Sequence, residues 1–334
     1  MVRIALDAMG SDAAPVTEVA GSALALDELA DLSILLVGRS PDIESALNAH
    51  PAMDRSRIEI VEAPDVVGMG EKPLAAIRSK PRSSLAVAMG LHKEGRADAC
   101  LSAGNTGAIL AAATLMLRLH EGVERASVGA LFPTARQPVL VLDAGANVDC
   151  SARELVGFAH LGTVYARDVL GRAHPSVGLV NIGEEPEKGN GIAKEAHQML
   201  SHEPLRFVGN VEGRDILAGE CAAGQLDVAV CDGFVGNVVL KFYESVARLF
   251  VSLVTAAAPD VLERPEVRSV LKTLDYSEYG GAPLLGVRGV CIICHGSSPP
   301  RAIKNALRVA RTAVTSHLSQ HIGAEMALGG GNAP

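Results

Sequence analysis

The chain has 334 residues, of which 48% are hydrophobic and 20% charged, and its formal net charge is −8. This composition excludes a disordered tail protein and a coiled coil, and it indicates a globular protein. Aromatic residues make up only 3%, so few side chains can stack on bases, and the negative charge also disfavours nucleic-acid binding. The first residues include the acidic Asp7, and the apolar run there is too short for a signal peptide. No apolar run approaches the roughly 20 residues that cross a bilayer. We therefore expect a cytoplasmic protein.

Apolar segments of strand length alternate with amphipathic helical segments along the whole chain. The predicted strands span residues 3–9, 32–38, 58–63, 97–103, 138–145, 176–183, 205–211, 226–233 and 289–296. The predicted helices span residues 15–30, 41–49, 73–93, 107–119, 151–170, 189–201, 236–258 and 300–319. Since continuous apolar strands that alternate with helices form parallel sheets covered on both faces, the pattern predicts an α/β fold with three αβα layers and a mostly parallel sheet.

No linker rich in Pro or Ser divides the chain, so we expect one compact unit with two lobes. Lobe A is expected at residues 1–120 and 290–328, and lobe B at residues 121–289. A helical segment near residues 240–275 is expected to protrude from lobe B. Residues 329–334 are expected to form a disordered tail.

The stretch SAGNTG (102–107) stands where a predicted strand becomes a helix. The first turn of a helix presents unpaired N–H groups and the positive end of the helix dipole, and glycines let an anion approach them. The stretch is therefore a candidate anion-binding loop. An ordinary turn capped by Asn105 or Thr106 is the alternative.

Polar loops follow the later strands as well. In open α/β sheets, ligands bind beyond the carboxyl ends of the strands, so these loops can converge on one site. Gly-Asn pairs also form tight turns by themselves, but turn chemistry does not require the accompanying Lys188, Asp232, Lys241 and His295. Neither G-x-G-x-x-G nor G-x-x-x-x-G-K-[ST] occurs, which disfavours a Rossmann dinucleotide enzyme and a P-loop NTPase. The loops are DAGANVD (143–149), NIGEEPEKGN (181–190), GNVEGRD (209–215), DGFVGN (232–237) and HGSS (295–298).

Cys291 and Cys294 have the spacing of a redox motif. Alternation along a strand places the two thiols on opposite faces, and no second pair of ligands follows. We interpret both as core residues, with a redox or zinc role as the alternative. No other group of residues has metal-ligand spacing, so we expect no metal and no cofactor.

Longer motifs occur in order along nearly the whole chain. They are DAMG (7–10), SAGNTGA (102–108), DAGANVDC (143–150), GLVNIGEEPEKGN (178–190), FVGNVEGRDI (207–216), DVAVCDGFVGNVVLK (227–241), YGGAPLLGV (279–287) and HGSS (295–298). Together they resemble the phosphate acyltransferase family of bacterial phospholipid synthesis. Two positions depart from the usual pattern of that family. Ser11 replaces a second Gly, and Ile293-Cys294 replaces Lys-Ser, so an anion contact made by such a lysine would be missing here.

The resemblance implies reversible transfer of a long-chain fatty acyl group from acyl carrier protein to inorganic phosphate, without a cofactor. It implies the fold shared by phosphotransacetylases and the isocitrate dehydrogenase group. It also implies a homodimer at the inner face of the cell membrane, in association with the downstream glycerol-3-phosphate acyltransferase.

Phosphate can attack a thioester carbonyl directly, so the implied reaction needs no Ser or Cys nucleophile. It needs a seat for a multiply charged oxyanion, stabilisation of the carbonyl oxygen, and a thiolate that can leave. We expect phosphate on two loops at helix N-termini. Their residues are Ser102, Gly104, Asn105, Thr106 and Gly107 in the first loop, and Gly296, Ser297 and Ser298 in the second.

Other polar residues of the strand-end loops are candidates for the chemistry. Lys188 is expected to neutralise developing charge, Asp232 to orient a lysine, and His295 to pass a proton to the thiolate. The alternatives are a solvated lysine among the glutamates of 184–187 and a structural histidine. The neutral donors expected nearby are Asn190, Asn210 and Asn237.

The last predicted helix carries a basic stripe opposite its apolar face. Acyl carrier protein is acidic and this chain is net acidic, so docking needs a local basic patch. We expect the stripe to help dock the carrier, and a solvated helix face is the alternative. The stripe consists of Arg301, Lys304, Arg308 and Arg311.

The segment 246–258 is apolar almost all round. Such a helix is usually buried, here at a dimer interface. Contact with a membrane surface is the alternative, and it would let a lipid-like product leave without crossing water.

Three other functions fit parts of the pattern. A phosphotransacetylase that acts on a short acyl-CoA would share the fold and the phosphate chemistry. A β-decarboxylating dehydrogenase would need a metal-binding carboxylate cluster, which the sequence does not display. A non-catalytic acyl-binding membrane scaffold would leave the Asn, Lys and Asp residues at the strand ends unexplained.

Overall fold

The computed structural model describes residues 1–274 and 278–329, and the chain divides into two compact units. Unit 1 comprises residues 1–126 and 279–334, and unit 2 comprises residues 127–278. The expected tail lies outside the described residues from position 330 onward.

Short strands alternate with helices in both units. The strands are β1 (Val2–Asp7), β2 (Leu32–Gly38), β3 (Ile58–Glu62), β4 (Ala99–Ser102), β5 (Ser127–Val128), β6 (Ala130–Phe132), β7 (Val139–Leu142), β8 (Ser176–Val180), β9 (Arg206–Val211), β10 (Glu220–Cys221), β11 (Gly224–Gln225), β12 (Val228–Val230), β13 (Ala282–Leu285) and β14 (Cys291–Ile293). The α-helices are α1 (Val16–Glu28), α2 (Ser40–Asn48), α3 (Pro73–Ser79), α4 (Ser84–Lys93), α5 (Thr106–Met116), α6 (Ala152–Asp168), α7 (Gly191–Leu200), α8 (Gly213–Ala218), α9 (Gly233–Ala257), α10 (Pro265–Leu274), α11 (Pro300–Thr315) and α12 (Leu318–Gly329). Short 3₁₀ helices span Arg55–Arg57 and Pro259–Glu263.

The strands of unit 1 lie in the order β3-β2-β1-β4-β14-β13. All neighbours are parallel except β13 and β14. The central strands β2, β1 and β4 are buried along most of their length, which accounts for their continuous apolar sequences. Helices α1 and α11 approach closely, since a Cβ atom on Gly21 would lie 2.5 Å from Cβ of Ile303. Glycine is therefore required at this crossing.

Unit 2 has a second sheet in the order β6-β7-β12-β8-β9. Only β6 runs antiparallel to its neighbour. Strands β7 and β12 are buried throughout, and α6 begins with a capping box formed by Ser151 and Glu154. The predicted α/β fold with mostly parallel strands is confirmed, in the form of two such sheets flanked by helices.

Every predicted strand is present; β2 has the predicted bounds, β1 begins one residue earlier than predicted, and the other predicted strands are shorter than expected. The strands β5, β6, β10, β11 and β13 were not predicted, because runs of two to four residues carry too little pattern. The prediction of one helix over 73–93 is wrong. Pro81 follows the end of α3, and Ser83 caps α4 by accepting a hydrogen bond from Ala86 N.

Within the two described ranges, no helix combines the length and the apolar character that crossing a membrane requires. The pair Cys291 and Cys294 lies in the core of unit 1. Burial raises the pKa of the Cys294 thiol to about 12, so this thiol stays protonated at neutral pH.

Candidate active site

Three polar loops meet at the carboxyl edge of the sheet in unit 1, because β1, β4 and β14 are parallel and adjacent. Ser102 Oγ at the end of β4 donates a hydrogen bond of 2.7 Å to Asp7 Oδ2 at the end of β1. Cys294 N after β14 donates to Ser102 O at 2.9 Å. Asp12 N donates to Gly296 O, also at 2.9 Å. The predicted anion-binding loop therefore lies beside the HGSS loop.

The loop 102–107 is held at both ends. Gly104 N donates to Ser102 Oγ at 3.1 Å. Asn105 caps α5, since its Oδ1 accepts from Ala108 N at 3.0 Å, and its Nδ2 donates to Met69 O at 2.8 Å. The amides of the first helical turn, at Thr106 and Gly107, have no acceptor within the helix. An anion at the positive end of the helix dipole would contact these amides.

The loop 295–298 uses much of its own hydrogen-bonding capacity. Ser297 N donates to His295 Nδ1 at 3.3 Å, and Ser298 N donates to His295 O at 2.9 Å. Pro299 and Pro300 begin α11 and have no amide hydrogen. The Ser297 hydroxyl lies 2.8 Å from the same Nδ1 of His295, so in this geometry the groups that the loop can offer to an anion are the Gly296 amide and the Ser298 hydroxyl. His295 itself is exposed.

In unit 2, Asp143 organises the loop after β7. It is fully buried, and its carboxylate accepts hydrogen bonds from the amides of Val128, Gly145, Ala146 and Asn147 and from the Asn147 side chain. This shell of donors fixes the loop as a rigid turn. We did not single out Asp143 from the sequence, although its place at a strand end was the available signal.

The start of α9 packs directly on this turn. A Cβ atom on Gly236 would lie 1.9 Å from Asp143 O, and one on Gly145 would lie 3.3 Å from Cβ of Asn237. Asp232 caps the helix, with its Oδ1 accepting from Val235 N at 2.8 Å. Asn237 and the DAGANVD loop are therefore neighbours, as the convergence of the strand ends predicts.

The loop after β8 carries Lys188. Its Nζ lies 3.9 Å from Glu185 Oε2, and its side chain is 45% exposed. Asn210 anchors this loop, because its Nδ2 donates to Glu185 O at 2.8 Å and its Oδ1 contacts His197 Nδ1 at 3.1 Å. Asn190 caps α7 by accepting from Ala193 N at 2.8 Å. The two asparagines hold the backbone of this loop, and the lysine side chain is partly exposed.

The basic stripe of α11 is partly compensated by carboxylates near the end of α1. Lys304 Nζ lies 2.7 Å from Glu28 Oε2, and Arg308 lies 3.8 Å from the same carboxylate. The Arg311 guanidinium makes two hydrogen bonds of 2.7 Å to Asp31. These contacts hold the pKa values of Glu28 and Asp31 below their usual range.

Comparison with known proteins shows which family this chain belongs to. Residues 2–321 match the profile of a family described as "Fatty acid synthesis protein". The phosphate acyltransferase of Heliobacterium modesticaldum is 49% identical over 333 residues, which cover 96% of this chain and 98% of that protein. The phosphate acyltransferase of Nostoc punctiforme is 46% identical over 338 residues, with 98% and 97% covered. The chain belongs to the phosphate acyltransferase family. The predicted resemblance is confirmed, and the protein is an enzyme of the acyltransferase class.

Solved structures of other proteins share the fold of this chain. A phosphotransacetylase from Streptococcus pyogenes matches with a TM-score of 0.63 at 18% identity, over 94% of each chain. The EutD phosphotransacetylase from Staphylococcus aureus matches with a TM-score of 0.61 at 14% identity, again over 94% of each chain. At these identities the likeness concerns the fold alone, and it confirms the predicted phosphotransacetylase-like fold.

Two buried carboxyls of unit 1, Asp7 and Glu18, were not among the predicted site residues. Burial raises the pKa of Asp7, against the opposing effect of the Ser84 and Ser102 hydroxyls. Glu18 has no exposed surface. Its Oε1 accepts from Ser11 N at 3.1 Å, and its Oε2 has no partner among the described residues. Burial raises the pKa of Glu18 to about 7. The available signal was helical spacing, because Glu18 lies on the same face of α1 as buried Ser22 and Ala25.

Proposed function

We propose that this enzyme transfers a long-chain fatty acyl group from acyl carrier protein to inorganic phosphate, reversibly and without a cofactor. A phosphate oxygen attacks the thioester carbonyl, the C–S bond breaks, and the thiolate takes up a proton. The products are an acyl phosphate and the free carrier thiol. The observation that carries this proposal is the glycine-containing loop with free backbone amides at the start of α5, in a chain of the phosphate acyltransferase family.

The proposed phosphate seat is the first turn of α5 with the loop before it. The amides of Thr106 and Gly107 and the helix dipole attract the anion, and Gly104 keeps the approach open. Ser102 and Asn105 contribute to the proposed seat indirectly, because their hydrogen bonds fix the loop. Gly296, Ser297 and Ser298 supply further donors in the same unit, since the 295–298 loop lies alongside.

The proposed chemistry in unit 2 depends on Lys188. Its ammonium group neutralises the charge that develops on the carbonyl oxygen, with Asn237 as a neutral donor. Asn190 and Asn210 act mainly by holding the loop that carries Lys188. Asp232 sets the start of α9 and thereby the position of Asn237.

His295 is the proposed proton donor to the leaving thiolate. Its Nδ1 lies 2.8 Å from Ser297 Oγ. Proton transfer requires the imidazolium form, in which both ring nitrogens carry a hydrogen. In that form Nδ1–H donates to Ser297 Oγ, and the exposed Nε2–H group gives its proton to the thiolate, which leaves a neutral ring.

The proposed partners are acyl carrier protein, a second copy of the chain, and the membrane surface. Helix α9 carries large apolar side chains on its outward face, and only Gly233 and Gly236 of this helix are buried. A homodimer buries this face, and association with the inner face of the cell membrane brings the product to the glycerol-3-phosphate acyltransferase that consumes it. These assignments rest on the family and on the apolar face of α9.

Release of thiol from a long-chain acyl carrier protein thioester tests the proposed activity. Free thiol is followed with and without inorganic phosphate, and hydroxylamine traps the acyl phosphate. We expect release to require phosphate and to give an acyl hydroxamate. Activity on acetyl-CoA alone would instead support a phosphotransacetylase. No thiol release from either substrate, together with no phosphate binding, would support a non-catalytic scaffold.

A further inference from the structure

Asp7 lies next to the proposed phosphate seat, at the carboxyl end of β1. Its side chain is almost completely buried, and Ser102 on the neighbouring strand is fully buried. Ser102 Oγ lies 2.7 Å from Asp7 Oδ2, and Gly104 N lies 3.1 Å from Ser102 Oγ. The three groups form a hydrogen-bonded chain from the carboxylate through the hydroxyl to the backbone of the loop.

The direction of this chain follows from counting hydrogens. The hydroxyl of Ser102 has one hydrogen and can donate it once. Gly104 N is a donor, so the hydroxyl accepts from it, and with Asp7 as a carboxylate the hydroxyl hydrogen goes to Asp7 Oδ2. The Ser102 hydroxyl therefore cannot donate to a bound anion while this arrangement persists.

We infer that Asp7 is a positioning residue for phosphate. By taking the only hydrogen of Ser102, it makes that hydroxyl an acceptor for the Gly104 amide. The loop is thereby fixed with the amides of Thr106 and Gly107 free for the anion. This inference deepens the proposed function, because it assigns how the phosphate seat of that reaction is held.

Hydrogen-bond donors around the Asp7 carboxyl oppose the effect of burial, which raises its pKa. Met9 N donates to Oδ1 at 3.2 Å, so both carboxylate oxygens have donors. Gly10 closes the site, since a Cβ atom there would lie 2.8 Å from Gly104 N and 3.0 Å from Asp7 Oδ2. Glu18 on α1 is the other carboxyl nearby, and its interaction with Asp7 is repulsive when both are ionised. In the hydrogen-bonded chain, Ser102 stands between the Asp7 charge and the loop that receives phosphate.

The test compares Asp7→Asn, Ser102→Ala and the double variant. We expect each single change to raise KM for phosphate and the Kd of inorganic phosphate about tenfold or more, since a hydrogen bond to a charged group is lost. KM for the acyl carrier thioester should stay unchanged. The double variant should raise the Kd of phosphate no more than the single variant with the larger effect, because both changes break the same hydrogen-bonded chain. If Asp7→Asn does not fold, Asp7→Ser removes the charge in a smaller volume and takes its place.

A buried Asp–Ser pair in unit 2 supplies the matched control. Asp227 Oδ2 lies 3.1 Å from Ser176 Oγ, and both residues are buried. Asp227 precedes β12 and Ser176 begins β8, so this pair lies at the opposite end of the strands from the polar loops. Asp227→Asn should lower the unfolding free energy but leave KM for phosphate unchanged.

A wild-type Kd for phosphate in folded Asp7→Asn would overturn the inference. A large effect of Ser102→Ala with none from Asp7→Asn would also overturn it, because Ser102 would then contact phosphate directly. Calorimetric phosphate binding does not depend on turnover. A wild type that binds phosphate without transferring an acyl group would therefore disprove the proposed function, while the Kd values of the variants would still decide the role of Asp7.

Discussion

Lys188 carries an ammonium group that contributes little to the stability of the fold. It is half exposed, and its ion pair with Glu185 is long at 3.9 Å, so its loss should not change the unfolding free energy measurably. If it stabilises the transition state, Lys188→Ala should lower kcat by about a hundredfold. Steady-state kinetics check this, with Lys194→Ala on the exposed face of α7 as the control. A kcat near that of the wild type in a folded Lys188→Ala variant would remove Lys188 from the mechanism.

Glu18 makes stability depend on pH. Burial raises its pKa from 4.5 to about 7, whereas the unfolded chain releases the proton near 4.5. Between these values the folded state binds more protons than the unfolded state, so the unfolding free energy falls as pH rises. The loss should amount to roughly 3 kcal/mol and be complete above pH 7.

Glu18→Gln should abolish this dependence. Urea unfolding between pH 4.5 and 8 should show the variant gaining stability relative to the wild type as pH rises. Glu94→Gln, an exposed position at the end of α4, is the control and should follow the wild type. Parallel curves for Glu18→Gln and the wild type would show that Glu18 is ionised in the folded protein throughout this range.

The buried carboxyls show where prediction from sequence ends at the scale of single residues. The SAGNTG loop could be found because its glycines, amide and hydroxyl are contiguous. The hydrogen bond from Ser102 to Asp7 joins residues 95 positions apart, and only the parallel pairing of β1 with β4 brings them together. A single sequence gives no measure of that distance.

At the scale of elements, the strands were predictable and some helix ends were not. Strand β7 is buried along its whole length, so its apolar run is continuous and indicates a buried strand. The break between α3 and α4 depends on one proline and one capping serine, and apolar residues on both sides hide it. The antiparallel strands β6 and β13 are too short to alternate visibly.

Helix α11 gives a test of carrier docking at the same scale. Its basic stripe already contacts Glu28 and Asp31, so acidic groups of the carrier must compete with these carboxylates. We expect the double variant Arg301→Glu and Arg308→Glu to raise KM for the acyl carrier thioester several-fold at low salt, and less at physiological salt. KM for phosphate is the internal control. An unchanged KM for the carrier substrate would refute docking on this face.

At the scale of the whole molecule, α9 presents an apolar stripe that the single chain leaves uncovered. Its spacing of three and four residues places six side chains on one face of a helix about 38 Å long. Exposed apolar patches of this kind usually mark an interface with protein or membrane. The stripe consists of Phe234, Val238, Phe242, Val246, Leu249 and Leu253.

The variant Leu253→Glu distinguishes a dimer interface from a membrane-binding surface. Leu253 is 60% exposed in the single chain, so a glutamate there need not disturb the fold, but it would place a charge inside an interface between two copies. We expect the variant to become monomeric, by light scattering, at concentrations at which the wild type is dimeric, and to float with anionic vesicles as the wild type does. Ser252→Glu adds the same charge on the neighbouring exposed position, beside the stripe, and should change neither property. A dimeric variant that no longer floats would assign the stripe to the membrane, because only lipid contact would then have been lost.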